Sequence, residues 1–485
     1  MKNLLTVTMV ASAAAVLSLF AAQDASAQVV KVNSENFPSE AVRSELINYA
    51  YYDADDYNEE NPLIETTDID YLGIYDADSI EGIELLDSLQ DLYLYNYTGE
   101  EIDLSESNTL SSLAMYLCPN LTSIDISLNQ KLEIFSIYEA DKITNVDVSD
   151  NTALKSLSLG YNDNITSIDL SNNAALDYLQ LDDMDNISTV DTSNNTKLNS
   201  IYAWGCDNLT SFDLSNNTNL KYITFHSLPA INDLNLSSCS KLVYLNLSDL
   251  NLASVDLINN DKLKSLYIVD TPMKSIDLSK NSSLIYLDLT NTGIKRVDVT
   301  KNSQLRYLSL VDNNLTSINI KNNKKLQILQ VNGNKKLKSL NIKKNTKLTS
   351  LNVGLTGLTS INTSKNTKLY DLSVYKTKIS KLSLKKNKKL YEINYYKSKI
   401  KKLSLPNKHM RLDFLEVKPG TTIKLKNIIG TGYKLAEKNI FLTKGSYKFS
   451  ASKSTIKLSS DCLGGMILTL KKGKKEYSIY IYTTI

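Results

Sequence analysis

Imidazoles and thiols, the side chains best suited to metal binding and nucleophilic chemistry, are scarce in this chain. Two histidines (His226, His409) and four cysteines (Cys118, Cys206, Cys239, Cys462) are the whole stock in 485 residues, and Trp204 is the one tryptophan. Side chains suited to contact are plentiful: Tyr numbers 29, and Lys+Arg 54 stands against Asp+Glu 53. Flat amphipathic rings bury area at low entropic cost, and charges steer and hold polyelectrolytes. Gly (16) and Pro (7) are too few for collagen-like or Pro/Gly-rich disordered chains. Which groups act together depends on the elements that place them.

Those elements repeat. The apolar residues opening each "IDLS"-like segment are Ile102, Ile124, Val146, Ile168, Val190, Phe212, Leu234, Val255, Ile276, Val297, Ile318, Leu340, Ile361, Leu382 and Leu403, and every interval is 21 or 22 residues. Self-similarity at such a period signals stacked units, none of which can bury its apolar set alone. Within one unit, Leu242-x-x-Leu245-x-Leu247 leads to Leu252, then Val255-x-Leu257-x-x-Asn260, before Leu263 starts the next. Alternation of period two in both halves predicts two short strand-like stretches joined by bends, with no room for a long helix.

The run LTSFDLSNNTNL from Leu209 to Leu220 and its variants resemble the leucine-rich repeat, specifically the short repeats of internalin-like bacterial surface proteins. The resemblance covers residues 89 to 407, fifteen coils, and implies a curved, mainly β solenoid with a parallel sheet. It further implies that the concave strand face holds the ligand. Parallel strands about 4.8 Å apart give fifteen coils a strand face roughly 65 to 70 Å long.

Five residues past the anchors stands Asn, at 129, 151, 173, 195, 217, 260, 281, 302, 323, 345, 366 and 387, with Ser107, Cys239 and Lys408 as exceptions. A buried amide needs partners, and a stacked Asn column finds them in the turn backbones of adjacent coils. The same register places Cys118 and Cys206 at equivalent corners four coils apart. That is about 19 Å, beyond the roughly 7 Å Cα separation a disulfide allows. Cys239 falls in the Asn column and Cys462 beyond the repeats, so four free thiols are expected and no shared metal site.

The ends differ from the middle. Residues 1–27 carry Lys2, an apolar run and Ala25-Ser26-Ala27, the pattern of an export signal cleaved before Gln28. No other stretch reaches the roughly 18 apolar residues of a membrane span, and the C-terminal EYSIYIYTTI lacks a wall-sorting signal. A secreted chain without a membrane span is expected. Residues 28–88 read as an N-terminal cap, with Phe37-Pro38-Ser39-Glu40 opening a helix through Tyr51. Its similarity to caps with an EF-hand-like loop raises calcium at Asp53 and Asp55. Tyr57 and Asn58 replace the expected ligand and glycine there, which favours a solvated acidic loop and no cofactor. Residues 408–485 leave the register. TTIKLKN, KNIFLTK, STIKLSS and MILTLKKGKKEYSIYIY alternate, predicting a small β-sandwich, immunoglobulin-like in kind.

Charge is segregated along the chain. Residues 31 to 250 hold 38 acidic and 8 basic side chains, and residues 251 to 485 hold 14 and 45. Lysines crowd the Asn column, as in Lys343, Lys344 and Lys347 around Asn345, and Lys385, Lys386, Lys388 and Lys389 around Asn387. Like charges one coil apart repel, so a segregation this large is more than solubility requires. It suggests docking on a polyanionic wall polymer such as teichoic acid. A nucleic-acid partner is opposed by export and by the lack of any nucleic-acid motif.

The outward positions of LxxLxL form two columns with one Tyr per coil: Tyr178, Tyr202, Tyr222, Tyr244, Tyr267, Tyr286 and Tyr307. Trp204 and His226 lie further along, with Asn246 and Asp288 nearby. Tyr is also a good strand former, so such a stripe arises from packing alone as well. As a surface, it suits a host or microbial protein or glycan. Asp125, Asp147, Asp169 and Asp191 form a repeated column, not a unique pair, and the two His cannot share a metal site or triad. Three readings remain open: a non-catalytic recognition or adhesion protein, a structural wall-associated protein, and a secreted glycan-active enzyme.

Overall fold

A computed structural model describes residues 28–50, 62–406, 409–417, 420, 422–424, 434–450, 453, 455–473 and 475–483. The proposed signal segment 1–27 and the loop holding Asp53 and Asp55 lie outside them. The chain winds into a mainly β solenoid of about fifteen turns with one short helix near its start. In each coil the LxxLxL leucines point inward and form one continuous core. Leu242, Leu245, Leu247, Leu252 and Leu263 are all fully buried. Strand follows strand in parallel register, for example Ile201↔Ile223, Leu245↔Leu266 and Leu287↔Leu308. A shift of one residue would turn these leucines to water, and that fixes the register.

The parallel sheet begins at Tyr71–Tyr75, paired with Asp91–Tyr95, inside the segment assigned to the cap. This first coil carries neither an IDLS anchor nor a ladder Asn, so counting anchors starts too late. The cap helix covers Glu40–Leu46 and tightens to a 3-10 turn at Ile47–Tyr49, shorter than expected. Phe37, Val42 and Leu46 close the open end of the core.

The second half of each unit is extended, yet it pairs as a strand in few coils, such as Thr189–Asp191 with Ser211–Asp213. The reason is local. The Asp after the anchor accepts the backbone N–H two residues on, as Asp125 does from Ser127 and Asp147 from Ser149, both at 2.9 Å. These Asx turns bend the chain toward the Asn ladder. They also hold the carboxyls of Asp103, Asp125, Asp147, Asp169, Asp191 and Asp277 below their usual range, chiefly through the backbone hydrogen bond.

Every ladder Asn is buried. Its amide nitrogen bridges two carbonyls of the preceding coil, as Asn151 does with Ile126 at 2.9 Å and Asn129 at 3.0 Å. Two amide oxygens also find donors, from the buried hydroxyls of Thr192 and Thr363 to Asn217 and Asn387, both at 2.9 Å. That accounts for Thr at positions other coils fill with Leu, such as Leu170 and Leu214. The four cysteines are free and buried. Burial pushes the Cys118 and Cys239 thiols up to about 11 and Cys206 to about 12, so none is a ready nucleophile.

The C-terminal region does not stand apart from the repeat sheet. His409–Val417 continues it in parallel, with Glu392↔Arg411 in register. Lys475–Thr483 then pairs in parallel with that strand, and Leu463–Lys472 and Lys434–Lys444 follow antiparallel. A second sheet is ordered Thr422–Lys424, Thr455–Leu458, Tyr447–Ser450. Ile456 and Leu458 from the second sheet and Leu468 and Ile479 from the first share one buried core. Arg411 marks the junction, its guanidinium 3.9 Å from the Tyr480 ring centroid and 3.8 Å from Glu392.

Candidate functional site

Strand length changes along the sheet and shapes its outer face. Strands run five to seven residues from Ser112–Tyr116 to Ser265–Val269 and only three from Tyr286–Asp288 to Glu392–Asn394. The shortening follows the change from 22-residue to mostly 21-residue spacing. The longer strands therefore present three outward columns and the shorter ones two.

The first column reads Tyr178, Ser200, Tyr222, Tyr244, Ser265, Tyr286, Tyr307 in direct register. The second reads Gln180, Tyr202, Thr224, Asn246, Tyr267, Asp288. Trp204 pairs with His226 in the third. The predicted aromatic residues thus share one face. Tyr222 is 47% and Tyr286 44% exposed, and Tyr178, Tyr202, Trp204, His226, Tyr244, Asn246, Tyr267, Asp288 and Tyr307 are half-buried. Tyr244 and Tyr267 lie 5.5 Å apart and Tyr286 and Tyr307 6.1 Å, both tilted. Short hydrogen bonds hold the polar members, from Ser248 to Asn246 at 2.5 Å and from Thr290 to Asp288 at 2.5 Å. Two of the ring hydroxyls are also engaged, Tyr178 donating to Gln180 Oε1 at 2.5 Å and Tyr307 to Asp288 Oδ2 at 3.4 Å.

Reading the sequence over seven coils missed the continuation toward the N-terminus. Tyr75, Tyr93, Tyr95, Tyr116 and Tyr138 extend the aromatic face, with Tyr116 and Tyr138 stacked at 5.1 Å and 4°. Following the third column backwards at 20 to 22 residues would have found it: Tyr95, Tyr116, Tyr138, Gly160, Asp182, Trp204, His226.

Asp182 is the buried charge of this column, 8% exposed. Burial raises its carboxyl to about 6, Gln180 opposes that, and Asp183 adds to it. Burial also raises Tyr178 and Tyr202 to about 12, with Asp182 next in effect. The two kinds of Asp have opposite linkage. The Asx-turn carboxyls are depressed, so their contribution exists above about pH 4 and is lost as pH falls further. Asp182 is raised, so the fold gains as pH falls from neutral through about 6. The melting temperature should therefore rise from pH 7.5 to about 5 and fall below about 4, and Asp182→Asn should flatten the first limb only. An unchanged first limb in the variant would refute this assignment.

The lysine set lies elsewhere, beside the Asn ladder. Lys343, Lys344, Lys347, Lys385, Lys386, Lys388 and Lys389 are all exposed. Lys301, Lys321, Lys324, Lys325, Lys365 and Lys368 occupy the same flanking positions on the neighbouring rungs and are exposed too. Among the described residues, none of them appears in a salt bridge.

No protein-family model and no curated protein matches this chain. Solved structures do. The functional domain of InlJ from Listeria monocytogenes, which includes a cysteine ladder, is similar at TM-score 0.53 and 20% identity, over 94% of this chain and 99% of that one. YopM from Yersinia enterocolitica is similar at TM-score 0.54 and 18% identity, over 70% of this chain and 71% of that one. Among the described residues no helix is long and apolar enough to cross a membrane. This chain has the fold of an internalin-like leucine-rich-repeat protein.

Proposed function

We propose that this is a secreted, non-catalytic recognition protein that holds a protein or glycan on its concave aromatic face. Its basic C-terminal half would dock on anionic wall polymer. The observation that carries the reading is the strand register aligning Tyr222 with Tyr244 and Trp204 with His226 on one open surface. Aromatic residues in such clusters dominate binding energy when a partner excludes water from them. The terminal strands, which lie in two sheets, would act as cap and spacer. A non-catalytic role fits the Asp column, in which one oxygen of each carboxylate is engaged in an Asx turn. It also fits the raised thiols.

The triple variant Tyr222→Ala, Trp204→Ala, Tyr244→Ala tests this. Cell-adhesion and glycan- and protein-array binding by the full chain should fall by about 100-fold or more, with circular dichroism unchanged. Undiminished binding by the triple variant would overturn the proposal.

A further inference from the structure

Tyr178, Gln180 and Asp182 are the three outward side chains of one strand. They form a chain: the Tyr178 hydroxyl donates to Gln180 Oε1 at 2.5 Å, and Gln180 Nε2 donates to Asp182 Oδ2 at 2.6 Å. This fixes the amide and occupies one carboxylate oxygen. The other, Oδ1, is buried and has no hydrogen-bond partner. A carboxylate out of water with an unmatched oxygen is costly, and proteins keep such groups where a partner supplies the missing charge.

The surroundings define that partner. Across the sheet the column runs Tyr138, Gly160, Asp182, Trp204. A Cβ on Gly160 would sit 2.4 Å from the Tyr138 ring and 3.1 Å from Asp182 Cβ, so glycine is what lets that ring lean toward the carboxylate. Trp204 stands on the opposite strand neighbour. An acid with a Tyr ring on one side of its column and a Trp on the other matches an ammonium or guanidinium, which gains from both the charge and the ring quadrupoles. A metal ion would need further ligands, and among the described residues no three His, Cys, Asp or Glu side chains gather for one. Residues 31 to 250 carry 38 acids against 8 bases, so the wider field also draws a cation to this half.

We infer that Asp182, between Tyr138 and Trp204, receives a lysine or arginine side chain of a protein ligand. The inference rests on the concave face being the binding surface and names the ligand chemistry at its acidic end. The Tyr138 ring swings from over Gly160 as the cation enters, and Gln180 stays bound to Oδ2.

Trp204 is the sole tryptophan and therefore the reporter. The full chain is titrated with N-acetyl-Gly-Lys-Gly amide and, separately, with N-acetyl-Gly-Gln-Gly amide, so that the lysine side chain is the one cation that differs, following Trp emission. The lysine peptide should give saturable quenching and the glutamine peptide none. Asp182→Asn, nearly isosteric, should weaken the lysine peptide at least fivefold. Tyr138→Leu, which leaves the carboxylate in place, should weaken it severalfold with an unchanged circular dichroism spectrum. No saturation with the lysine peptide, or equal affinity in wild type and Asp182→Asn, overturns the inference. The triple aromatic variant is read by adhesion and array binding instead, so a failed lysine titration together with lost array binding in that variant overturns this inference and leaves the binding face standing.

Discussion

Replacing Lys343, Lys344, Lys347, Lys385, Lys386, Lys388 and Lys389 by Gln should abolish retention of the full chain on teichoic-acid-bearing walls at about 0.15 M salt and raise its melting temperature. The two effects have one cause. Rungs of the solenoid are about 4.8 Å apart, well inside a screening length of about 8 Å, so exposed lysines on successive rungs repel one another in the folded state. Removing charge relieves that repulsion and also removes the attraction to a polyanion. A lysine near an anionic surface contributes about 1 kcal/mol, so seven together should change retention by at least a thousandfold. Wild-type retention should fall steeply as salt is added, as expected when bound counterions are released. Walls stripped of teichoic acid should retain neither form. Equal sedimentation of wild type and variant with intact walls, at low and physiological salt, would end the docking proposal. Loss of retention with loss of stability would instead assign the lysines a packing role.

Much of this architecture is legible in the sequence alone. A constant spacing of 21 or 22 residues maps positions in the chain onto columns in space. Leucines, the Asn ladder, the Tyr face and the unbridged Cys118 and Cys206 all follow from that register, because stacking leaves each residue type one place to go. Single events hide from the same method. Asp182 is one acid among 53, and only the register shows that it stands in one column with Gly160 and Trp204 on the adjacent coils and Tyr138 one coil beyond the glycine. The corner after each strand was also invisible. It is left-handed in coil after coil, at Glu139, Tyr161, Asp183, Gly205, Ser227 and Asp249. Only some of these are the Asn, Asp or Gly that such a conformation favours, because ladder bonds on both sides over-determine the turn. Alternation predicted the C-terminal strands but not their docking. Sheet-edge pairing between Glu392–Asn394 and His409–Val417 leaves no mark in composition.

The ladder carries the other large effect. Asn323→Leu should lower stability by about 2 to 3 kcal/mol, since it removes two buried hydrogen bonds worth about 1 kcal/mol each and leaves their acceptors underused. The amide nitrogen of Asn323 reaches Val299 O at 2.9 Å and Asn302 O at 2.8 Å. Each of those carbonyls would keep one turn N–H, from Asn302 and Leu305 respectively, so the coil should loosen without unfolding outright. Cys239 shows the same vacancy in the native chain. Among the described hydrogen bonds, Leu214 O and Asn217 O there receive only the turn N–H groups of Asn217 and Leu220, each at 3.2 Å. The next rung is intact, because Asn260 donates to Leu236 O at 3.1 Å and to Cys239 O at 2.9 Å. Cys239→Asn should therefore stabilise, by about 1 kcal/mol, by restoring a bridge that the coils on either side already accommodate. Stacked coils open locally, so amide hydrogen exchange is the decisive reading. Protection should fall around residues 299–345 in Asn323→Leu and rise around 214–242 in Cys239→Asn. If exchange were unchanged in both, the Asn column would be filling space and the leucines alone would hold the coils in register.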